Sequence, residues 1–405
     1  MYDLIGYGAM ITDSVRTDAY ASALRHVITP ESVVLDIGTG TGLFALLACQ
    51  LGARHVYAVE PGDVIALARD MARANGHAQR ITFIQAMSER VELPEPADII
   101  VADIRGALPL YRNSVRSLLD ARRRLLAPGG TIIPARDRLM VTVVDAANLH
   151  AKHSQAWKTP VHGVDMSAAR RFASNAWHSG RATAEQCLAA PACWGELDYA
   201  TLESPNLKGD AGFTAARSGT AHGLSVWFDC ELIPGVSYSN APDEPELVYG
   251  SAFFPLPEPV AVSAGDRMEV ALRADLVAED YTWSWHTSVY GRDASAAPKA
   301  DFKQSSFFSS PISQAALHKR AASHRPVLNE DGAIALLVLQ LMNEQQPLEA
   351  IARQVCEGFP ERFRDWRAAL GHVGAFSGEY SAAPAGSETA AEFISSNSRR
   401  QRFDG

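Results

Sequence analysis

Glycine residues occupy alternate positions at the end of the segment "VVLDIGTGTG", residues 33–42. Its apolar start predicts a strand that ends near Asp36 and is followed by Gly38, Gly40 and Gly42. Because glycine has no Cβ, such a turn lets backbone N–H groups and a helix N-terminus approach a ligand closely. Dinucleotide-binding enzymes use similar turns, and a tight turn between a strand and a helix can also bind nothing. The turn alone therefore leaves the ligand open.

An acidic residue at the end of the second predicted strand limits which ligand the glycine turn could bind. This residue is Glu60, in "VYAVEP", where a carboxylate can accept hydrogen bonds from both hydroxyls of a ribose. The GxGxG spacing, with Asp36 two residues before the first glycine, differs from the GxGxxG of pyrophosphate-binding turns. A carboxylate such as Asp36 favours the cationic sulfonium and amino groups of S-adenosylmethionine. We therefore predict this cofactor, with Gly38, Thr39 and Gly40 in its site.

A second group of residues that could bind a substrate or take part in catalysis lies in "YTWSWHTSVYGR", residues 281–292. In a strand, Tyr281, Trp283 and Trp285 share one face and His286 points to the other. The aromatic face either forms a wall for a flat or cationic substrate or packs into a core. His286 is a candidate catalytic base because its ordinary pKa is near neutrality. No HxH, HExxH or Cys/His cluster suggests a metal site.

Composition limits the class of protein. The chain has 405 residues, enough for two or three domains, and a formal net charge of −9, which argues against a general nucleic-acid surface. Its apolar runs are far shorter than the roughly 20 residues that span a bilayer, and "MYDLIGYG" lacks the features of a signal peptide. We expect a cytoplasmic protein that binds neither membrane nor nucleic acid. Its 5 cysteines form no CxxC pair, which indicates reduced thiols.

The predicted strands and helices that carry these residues divide the chain into regions with different sequence patterns. Residues 30–145 alternate between strand-like and helix-like segments, which predicts an α/β fold with a doubly wound, Rossmann-like parallel sheet, and we assign residues 1–134 to this cofactor-binding domain. Short strand-like runs among turns then predict an antiparallel β-barrel or sandwich, which we assign as a β-barrel domain over residues 135–315. Within it, residues 151–195 are rich in Ala, His and Ser and predict a helical insertion.

The last part of the chain has helical periodicity. We assign residues 316–381 to a separate small domain. Apolar residues three or four positions apart predict two helices with one buried face each. Residues 382–405 contain too little apolar material to fold, which predicts a flexible tail.

Several motifs, taken together, resemble the protein arginine methyltransferase family. They occur in the family's order over roughly residues 2–290, beginning with "MITDSVRTDAY", "VLDIGTGTG" and "VYAVEP" and continuing with "ITFIQAMSERVELP", "ADIIVADIRG", "LLAPGGTIIP" and "GLSVWFDCEL". The resemblance implies an S-adenosylmethionine-dependent methyltransferase. It implies that Arg16 binds the cofactor's methionine carboxylate, that Asp36 and Gly38 line its amino-acid part, and that Glu60 binds the ribose. In "MSERV", Glu89 would lie beside the adenine, with Met87 and Ser88 in the same site.

The acceptor side departs from the family's pattern. Family members carry two glutamates on the loop after the fourth strand, because a planar guanidinium forms bidentate bonds with carboxylates. Here the loop "ADIRGALPLYR" has Asp103 at the first of these positions and Arg112 at the second. The family's Thr-His-Trp loop corresponds to residues 247–249, Leu-Val-Tyr. Asp103 either orients or deprotonates the acceptor beside the cofactor, or is a loop acid that caps a turn.

The segment from His324 to Tyr380 has an extended start, a first apolar helix, the motif "PLEAIARQV" and a final helix ending in "ALGHVGAF". Together these features resemble the small winged-helix domains that recognise leader peptides in ribosomal-peptide biosynthesis, of the pyrroloquinoline-quinone-pathway type. The resemblance implies a small α+β, winged-helix-like domain over residues 316–381. Such a domain would bind an extended peptide by adding it as a strand to a sheet edge. With 5 Arg, no Lys and 8 Asp or Glu, the segment's net charge of 5 − 8 = −3 disfavours DNA binding. A helical cap that completes the enzyme or its dimer is the structural alternative.

Three hypotheses follow. The first is a bacterial methyltransferase of a biosynthetic or peptide-modifying pathway, acting on N or O of a peptide or small natural product rather than on a protein arginine. The second is an arginine or guanidino N-methyltransferase with an altered acceptor loop, and the third is a scaffold that binds cofactor without turnover. Because the family's barrel insertion serves as a dimerisation arm, the resemblance also implies a homodimer through residues 151–195.

Overall fold

The structure is a computed structural model that describes residues 3–293 and 297–381. The chain divides into two compact units, Met1–Pro311 and Ile312–Gly405. In the described parts of both units, no helix combines the length and the apolar character needed to cross a membrane. The predicted tail, residues 382–405, lies outside the described residues.

The first unit begins with the predicted parallel sheet, which is confirmed. Its strands are β1 (Val33–Ile37), β2 (His55–Val59), β3 (Ile81–Ile84), β4 (Ala97–Ala102) and β5 (Leu126–Ile133). They lie in the order β3-β2-β1-β4-β5, and every neighbouring pair is parallel. All five residues of β1 are buried, as expected for a strand in a parallel sheet whose two faces are both covered.

Five helices accompany this sheet. They are α1 (Leu4–Thr12), α2 (Ser14–Val27), α3 (Leu43–Gln50), α4 (Ile65–Ala74) and α5 (Ser114–Arg124). Aspartates fix where the first two begin, because the Asp3 carboxylate accepts from the Gly6 amide and that of Asp13 from the Arg16 amide. The α3 helix instead starts after Gly42, which has a left-handed backbone conformation.

The predicted β-barrel is corrected to two antiparallel sheets. The first contains β6 (Arg136–Val144), β7 (His178–Ser179), β8 (Ala192–Asp198), β10 (Gly219–Ile233), β11 (Val236–Ser239) and β12 (Ala252–Val262). The second contains β9 (Leu207–Thr214), β13 (Arg267–Val277), β14 (Asp280–Tyr290) and β15 (Ala300–Ser305). No ladder joins the two sheets among the described strands. Alternating apolar residues predict one buried face per strand, and that pattern is the same in a closed barrel and in two packed sheets.

Aromatic side chains fill the core of this region. Trp283 and Trp285 on β14 are 1% and 2% exposed, and each meets Phe254 of β12 edge-on, with ring centroids 5.3 and 5.1 Å apart. Tyr281 is also buried. Of the two interpretations of this strand, the packed face is therefore the one found, and the aromatic wall for a substrate is not.

The predicted helical insertion, residues 151–195, is only partly helical. It contains the end of α6 (Ala147–Ser154), the short α7 (Arg170–Ala173) and 3-10 turns, together with β7 and the start of β8. Its Ala-rich composition favours helix, but Pro160 and Gly163 interrupt any long one. Exposed apolar side chains, Val161, Val164 and Met166, occur in its central turns.

The second unit is helical throughout its described residues. Its helices are α8 (Gln314–Lys319), α9 (Glu330–Asn343), α10 (Leu348–Gly358) and α11 (Trp366–Tyr380). One buried core is formed by residues of the last three helices and of the turn before α11. It includes Ile334, Val338, Ile351, Val355 and Val373. Residues 312–381 contain no strand, so the sheet edge on which the predicted mode of peptide binding depends is not found there.

Candidate active site

The sheet order places three predicted site segments at one end of the parallel sheet. The order of the strands reverses at β1, whose two neighbours are β2 and β4, and such a switch point opens a crevice at the carboxyl ends of the strands. The glycine turn follows β1, Glu60 follows β2 and Asp103 follows β4. The fold therefore gathers residues that are far apart in the sequence.

The glycine turn leaves no room for side chains. Gly38, Gly40 and Gly42 have φ angles of 71°, 53° and 89°, a region that residues with a Cβ rarely adopt. A Cβ added to Gly38 would overlap the side chain of Ile104, and one added to Gly40 would lie 2.8 Å from the Tyr7 ring. The turn is thus a bare backbone cradle between α1 and the loop after β4.

Glu60 is held firmly at the end of β2. Its Oε2 accepts from the Gly40 amide at 3.2 Å, and its Oε1 accepts from the Gly62 amide at 2.8 Å. The side chain is buried, and each oxygen keeps further acceptor capacity. This arrangement fits the predicted role, in which the carboxylate accepts from the hydroxyls of a ribose.

Asp36 lies in a position where its charge is costly without a cation. Its Oδ2 accepts from the Thr39 hydroxyl at 2.6 Å and from the Ala45 amide at 3.0 Å. Burial nevertheless dominates these bonds and raises the pKa of Asp36 to about 7. A cationic ligand group beside it would favour the ionised carboxylate, as the prediction for the cofactor's amino-acid part requires.

Arg16 on α2 reaches into the same crevice. Its guanidinium donates to Asp103 and to the Met10 carbonyl, while its Nε is a buried donor with no acceptor in the described parts of the chain. Burial is the largest single influence and lowers the pKa of Arg16, but Asp103, Tyr249 and Tyr20 together raise it above its ordinary value, so the group stays charged. A buried donor without an acceptor indicates a place for an anionic ligand group, such as the carboxylate of S-adenosylmethionine.

The residues predicted to lie beside the adenine follow β3. Ser88 and Glu89 are in a 3-10 turn, where Glu89 accepts from the Ser117 hydroxyl at 2.7 Å. The Ser88 carbonyl accepts from Arg124 at 2.9 Å, so α5 fixes this turn. Met87 is 39% exposed, which leaves an apolar surface for a flat ring.

Asp103 is surrounded by donors from its own chain. The Arg16 guanidinium and the Tyr249 hydroxyl both donate to its carboxylate, and the Arg105 Nε lies 3.7 Å from its Oδ1. Burial and the charge of Asp103 raise the pKa of Tyr249 well above its ordinary value, so this phenol stays protonated. Tyr20 is similar, since its hydroxyl lies 3.5 Å from Asp103 and burial raises its pKa as well. Asp103 is therefore an ion-paired carboxylate.

Arg105 is a site residue that the sequence interpretation missed. Its guanidinium is buried, donates to Asp137 at 2.7 Å and lies 4.9 Å from the centre of the Phe228 ring. The Tyr199 hydroxyl donates to the other oxygen of Asp137 at 2.7 Å. Nothing in "ADIRG" predicts a buried arginine, because its partner carboxylate lies 32 residues further along the chain.

Arg112, at the end of the loop, has the opposite environment. It is exposed, with its guanidinium 5.3 Å from the centre of the Tyr111 ring. In the described residues no carboxylate lies within ion-pairing distance of it. Its φ angle of 45° is unusual for a residue with a side chain. The loop thus ends in an unneutralised cation, at the position of the family's second glutamate.

The segment 247–249 closes this side of the crevice. The Val248 amide donates to the Asp13 carboxylate at 2.8 Å, which ties the segment to the start of α2. The Asn240 side-chain amide donates to the Ala107 carbonyl at 3.1 Å and to that of Gly250 at 2.6 Å. These bonds hold Tyr249 against Asp103, a role for which its position in the sequence gave no signal.

His286, the second predicted catalytic residue, is not brought to this site. It faces outward from β14, where its Nε2 lies 2.6 Å from Asp301 on β15. The open depression of about 510 Å³ beside it is lined by residues of the four-stranded sheet only. The prediction of His286 as a base is therefore corrected, because its strand contributes Trp283 and Trp285 to the core and turns His286 away. In the described residues no group of three or more His, Cys, Asp or Glu could hold a metal.

Family models match most of the first unit. Residues 16–135 match the model described as ribosomal protein L11 methyltransferase, and residues 135–289 match the arginine methyltransferase oligomerization subdomain. The two matches meet beside Pro134, where the parallel sheet ends.

Relatives and solved structures agree with these models. Protein arginine N-methyltransferase 6 of Xenopus tropicalis is 30% identical over 275 residues, which cover 64% of this chain and 80% of that protein. Probable protein arginine N-methyltransferase 6 of Arabidopsis thaliana is 28% identical, and the aligned part spans only 58% of its length. Among solved structures, the PRMT1 enzyme-prozyme complex of Trypanosoma brucei with AdoHcy has a TM-score of 0.68 at 24% identity, covering 74% of this chain and 97% of that one. Arabidopsis thaliana protein arginine methyltransferase 10 has a TM-score of 0.64 at 22% identity, covering 75% of this chain and 97% of that one. The chain belongs to the protein arginine N-methyltransferase family of S-adenosylmethionine-dependent methyltransferases, which confirms the predicted family and cofactor.

Proposed function

We propose that this protein transfers the methyl group of S-adenosylmethionine to a nitrogen or oxygen of a peptide or small-molecule acceptor that is not a protein arginine side chain. The observation that carries this proposal is the charge of the acceptor loop. The one carboxylate of this loop, Asp103, is already paired with Arg16, and the loop ends in the cation Arg112, which pairs with no carboxylate among the described residues. A guanidinium acceptor would meet repulsion where it needs a second carboxylate.

The residues of the crevice support methyl transfer. The cofactor supplies an electrophilic methyl group on a sulfonium. Arg16 and Asp36 offer opposite charges for its carboxylate and amino group, and Glu60 offers acceptors for its ribose. Positioning the acceptor in line with the methyl group is the main contribution that such a site makes to the rate. Ile104, which contacts the glycine turn, links the acceptor loop to the cofactor cradle.

A peptide panel tests this proposal. The full chain is incubated with methyl-labelled S-adenosylmethionine and peptides that differ at one position, which is Arg, Lys, His, Ser, Asp or Glu. We expect label in at least one peptide that lacks arginine and none in the arginine peptide. Label found only in the arginine peptide would refute the proposal. An Asp36→Asn variant, which weakens cofactor binding, is the negative control.

Arginine N-methylation is the second candidate, and the observation that favours it is the family itself, since the relatives described above are named as protein arginine N-methyltransferases. An Arg112→Glu variant separates the two candidates. If the acceptor is a guanidinium, this variant restores a carboxylate and increases arginine methylation. If it is not, the variant gains no arginine activity and loses its own.

The first unit is also proposed to form a homodimer. Support comes from the exposed Val161, Val164 and Met166 within residues 151–195, inside the match to an oligomerization subdomain. Sedimentation of the full chain should show a dimer, and a Val161→Ser, Val164→Ser double variant should shift it towards monomer. A wild-type protein that stays monomeric at micromolar concentration would contradict this proposal.

The second unit lies beyond both family matches and is proposed to select a peptide substrate in a biosynthetic pathway. Support comes from the irregular segment before α9, where Val327 is 91% and Leu328 is 61% exposed. Replacing both by serine in the full chain should raise KM for a peptide substrate without changing kcat or cofactor affinity. An unchanged KM would remove the second unit from substrate selection.

A further inference from the structure

We propose that the methyl acceptor is a carboxylate, which Arg112 binds and which is converted to a methyl ester. This inference rests on the proposed function and names its substrate class. It predicts that the protein acts on an aspartate, a glutamate, a C-terminal carboxylate or a small carboxylic acid. Three observations around the acceptor loop carry it.

The first observation is the balance of charge at the loop. Arg16 is paired with Asp103, and Arg105 is paired with Asp137. Arg112 has no such partner in the part of the chain that the structure describes, so these three arginines and two aspartates together keep one positive charge, and that charge is on the exposed residue. An arginine with free donors is the residue best suited to bind a carboxylate by two parallel hydrogen bonds.

The second observation is where the loop holds this charge. The loop begins against the cofactor cradle, because Ile104 contacts Gly38. It folds back on itself, since the Tyr111 ring would lie 3.2 Å from a Cβ on Gly106. Arg112 follows directly with its positive φ of 45°, a conformation that costs about 1 kcal/mol or more and that surrounding structure must impose. Unfavourable backbone conformations of this kind cluster at ligand-binding and active sites.

The third observation is that the described side chains beside Asp103 are protonated or cationic, so none of them is a proton acceptor. Tyr20 and Tyr249 have raised pKa values and stay protonated, while Arg16 and Arg105 are cations. Asp103 itself accepts hydrogen bonds from Arg16 and Tyr249. Amines, guanidines and alcohols must lose a proton to become methylated products, but a carboxylate is already deprotonated at neutral pH.

The reaction is balanced without a base. A carboxylate oxygen forms a bond to the methyl carbon as the carbon–sulfur bond breaks, and its electron pair passes to sulfur. The negative carboxylate and the positive sulfonium become a neutral ester and a neutral thioether, and no proton moves. Arg112 binds the second oxygen of the acceptor carboxylate. The positive charge of Arg112 therefore lies beside the negative charge that this carboxylate carries before methyl transfer.

Peptides of one sequence test the inference. The full chain is incubated with methyl-labelled S-adenosylmethionine and end-capped peptides whose single variable residue is Asp, Glu, Lys, Ser or Arg, together with an uncapped peptide that has a free C-terminal carboxylate. We expect label only in the carboxylate peptides, and its release as volatile methanol in mild alkali. Esters hydrolyse under these conditions, while N-methyl groups and methyl ethers do not.

Variants at Arg112 assign the binding role. Arg112→Gln should raise KM for the carboxylate peptide by about 10- to 100-fold, as expected for the loss of charge-assisted hydrogen bonds to a carboxylate, with cofactor affinity unchanged. Arg112→Lys keeps the charge without the planar guanidinium, so its KM should lie between those of the wild-type protein and Arg112→Gln. Arg267→Gln, which changes an exposed arginine at the start of β13, is the control and should behave as wild type.

The outcomes separate the two proposals. Base-stable label in the Lys or Ser peptide would overturn the carboxylate inference and leave the proposed function intact. Label only in the Arg peptide would overturn both. Binding of the cofactor without transfer to any of these peptides would also count against both.

Discussion

The affinity for S-adenosylmethionine should fall as the pH decreases through neutrality, because Asp36 takes up a proton there. Asp36 is 1% exposed, and burial raises its pKa to about 7 despite the hydrogen bonds from Thr39 and Ala45. Its carboxylate must be ionised to balance the positive charge of the cofactor's amino and sulfonium groups. Cofactor binding therefore lowers this pKa and, below neutrality, releases a proton to solvent.

The size of the effect follows from this one pKa. If the cofactor binds only the ionised form, the dissociation constant is multiplied by one plus the ratio of protonated to ionised Asp36. With a pKa of about 7, this factor is about 11 at pH 6 and about 1.3 at pH 7.5, so the affinity should differ about eightfold. The loss is on the acid side because protonation removes the negative charge of Asp36, and the raised pKa moves this loss close to neutrality.

Titration calorimetry measures both consequences. Run in two buffers with different ionisation enthalpies, it gives the dissociation constant and the number of protons released. Asp36→Asn should bind more weakly and lose the pH dependence. Glu60→Gln, the matched control, should also bind more weakly but keep that dependence. A wild-type affinity that is constant from about pH 6 to 7.5, with no proton release, would refute the role of Asp36.

Three further predictions follow from the contacts. Gly40→Ala should abolish measurable cofactor binding in calorimetry while the protein stays folded by circular dichroism, because its Cβ would lie 2.8 Å from the Tyr7 ring; wild-type affinity would show that α1 adapts. Trp283→Ala should lower the free energy of unfolding in urea by about 3–5 kcal/mol, as for other buried aromatic side chains, and a loss under about 1 kcal/mol would contradict the proposed core. His286→Ala should keep wild-type kcat, since His286 contacts Asp301 on β15 of the four-stranded sheet. A loss of activity of about tenfold or more would show that His286 takes part in catalysis after all.

The cofactor half of the site was accessible from the sequence because its elements are local. Alternating strands and helices predict a parallel sheet, and the end of each strand marks where a ligand contact can lie. Gly38 and Glu60 are each the first residue after a strand, and Gly40 follows two residues later, so their position follows from the sheet alone. Their bonds to one another, such as Glu60 to the Gly40 amide, are consequences of the neighbouring order of β1 and β2.

The acceptor half could not be predicted in the same way, because its contacts join distant segments. Asp103 meets Tyr249 across 146 residues, and Arg105 meets Asp137 across 32. No period or spacing encodes such pairs. His286 shows the reverse error, since its residue type suggested chemistry and its strand register decided against it. Likewise, alternation in the β region predicted buried faces, while barrel closure depends on edge pairing that the pattern does not encode.

Asp103 aligns with the first of the two glutamates with which the family binds arginine, but in the structure its negative charge has a role that does not involve an arginine substrate. Arg16 is buried beside it, and a buried guanidinium without a counter-charge costs about 3–5 kcal/mol. In the proposed site, Arg16 binds the carboxylate of the cofactor, whichever acceptor is methylated. On this proposal, the cofactor half alone requires a carboxylate at position 103. We therefore propose that Arg112, which pairs with no carboxylate among the described residues, is the residue that distinguishes one acceptor from another.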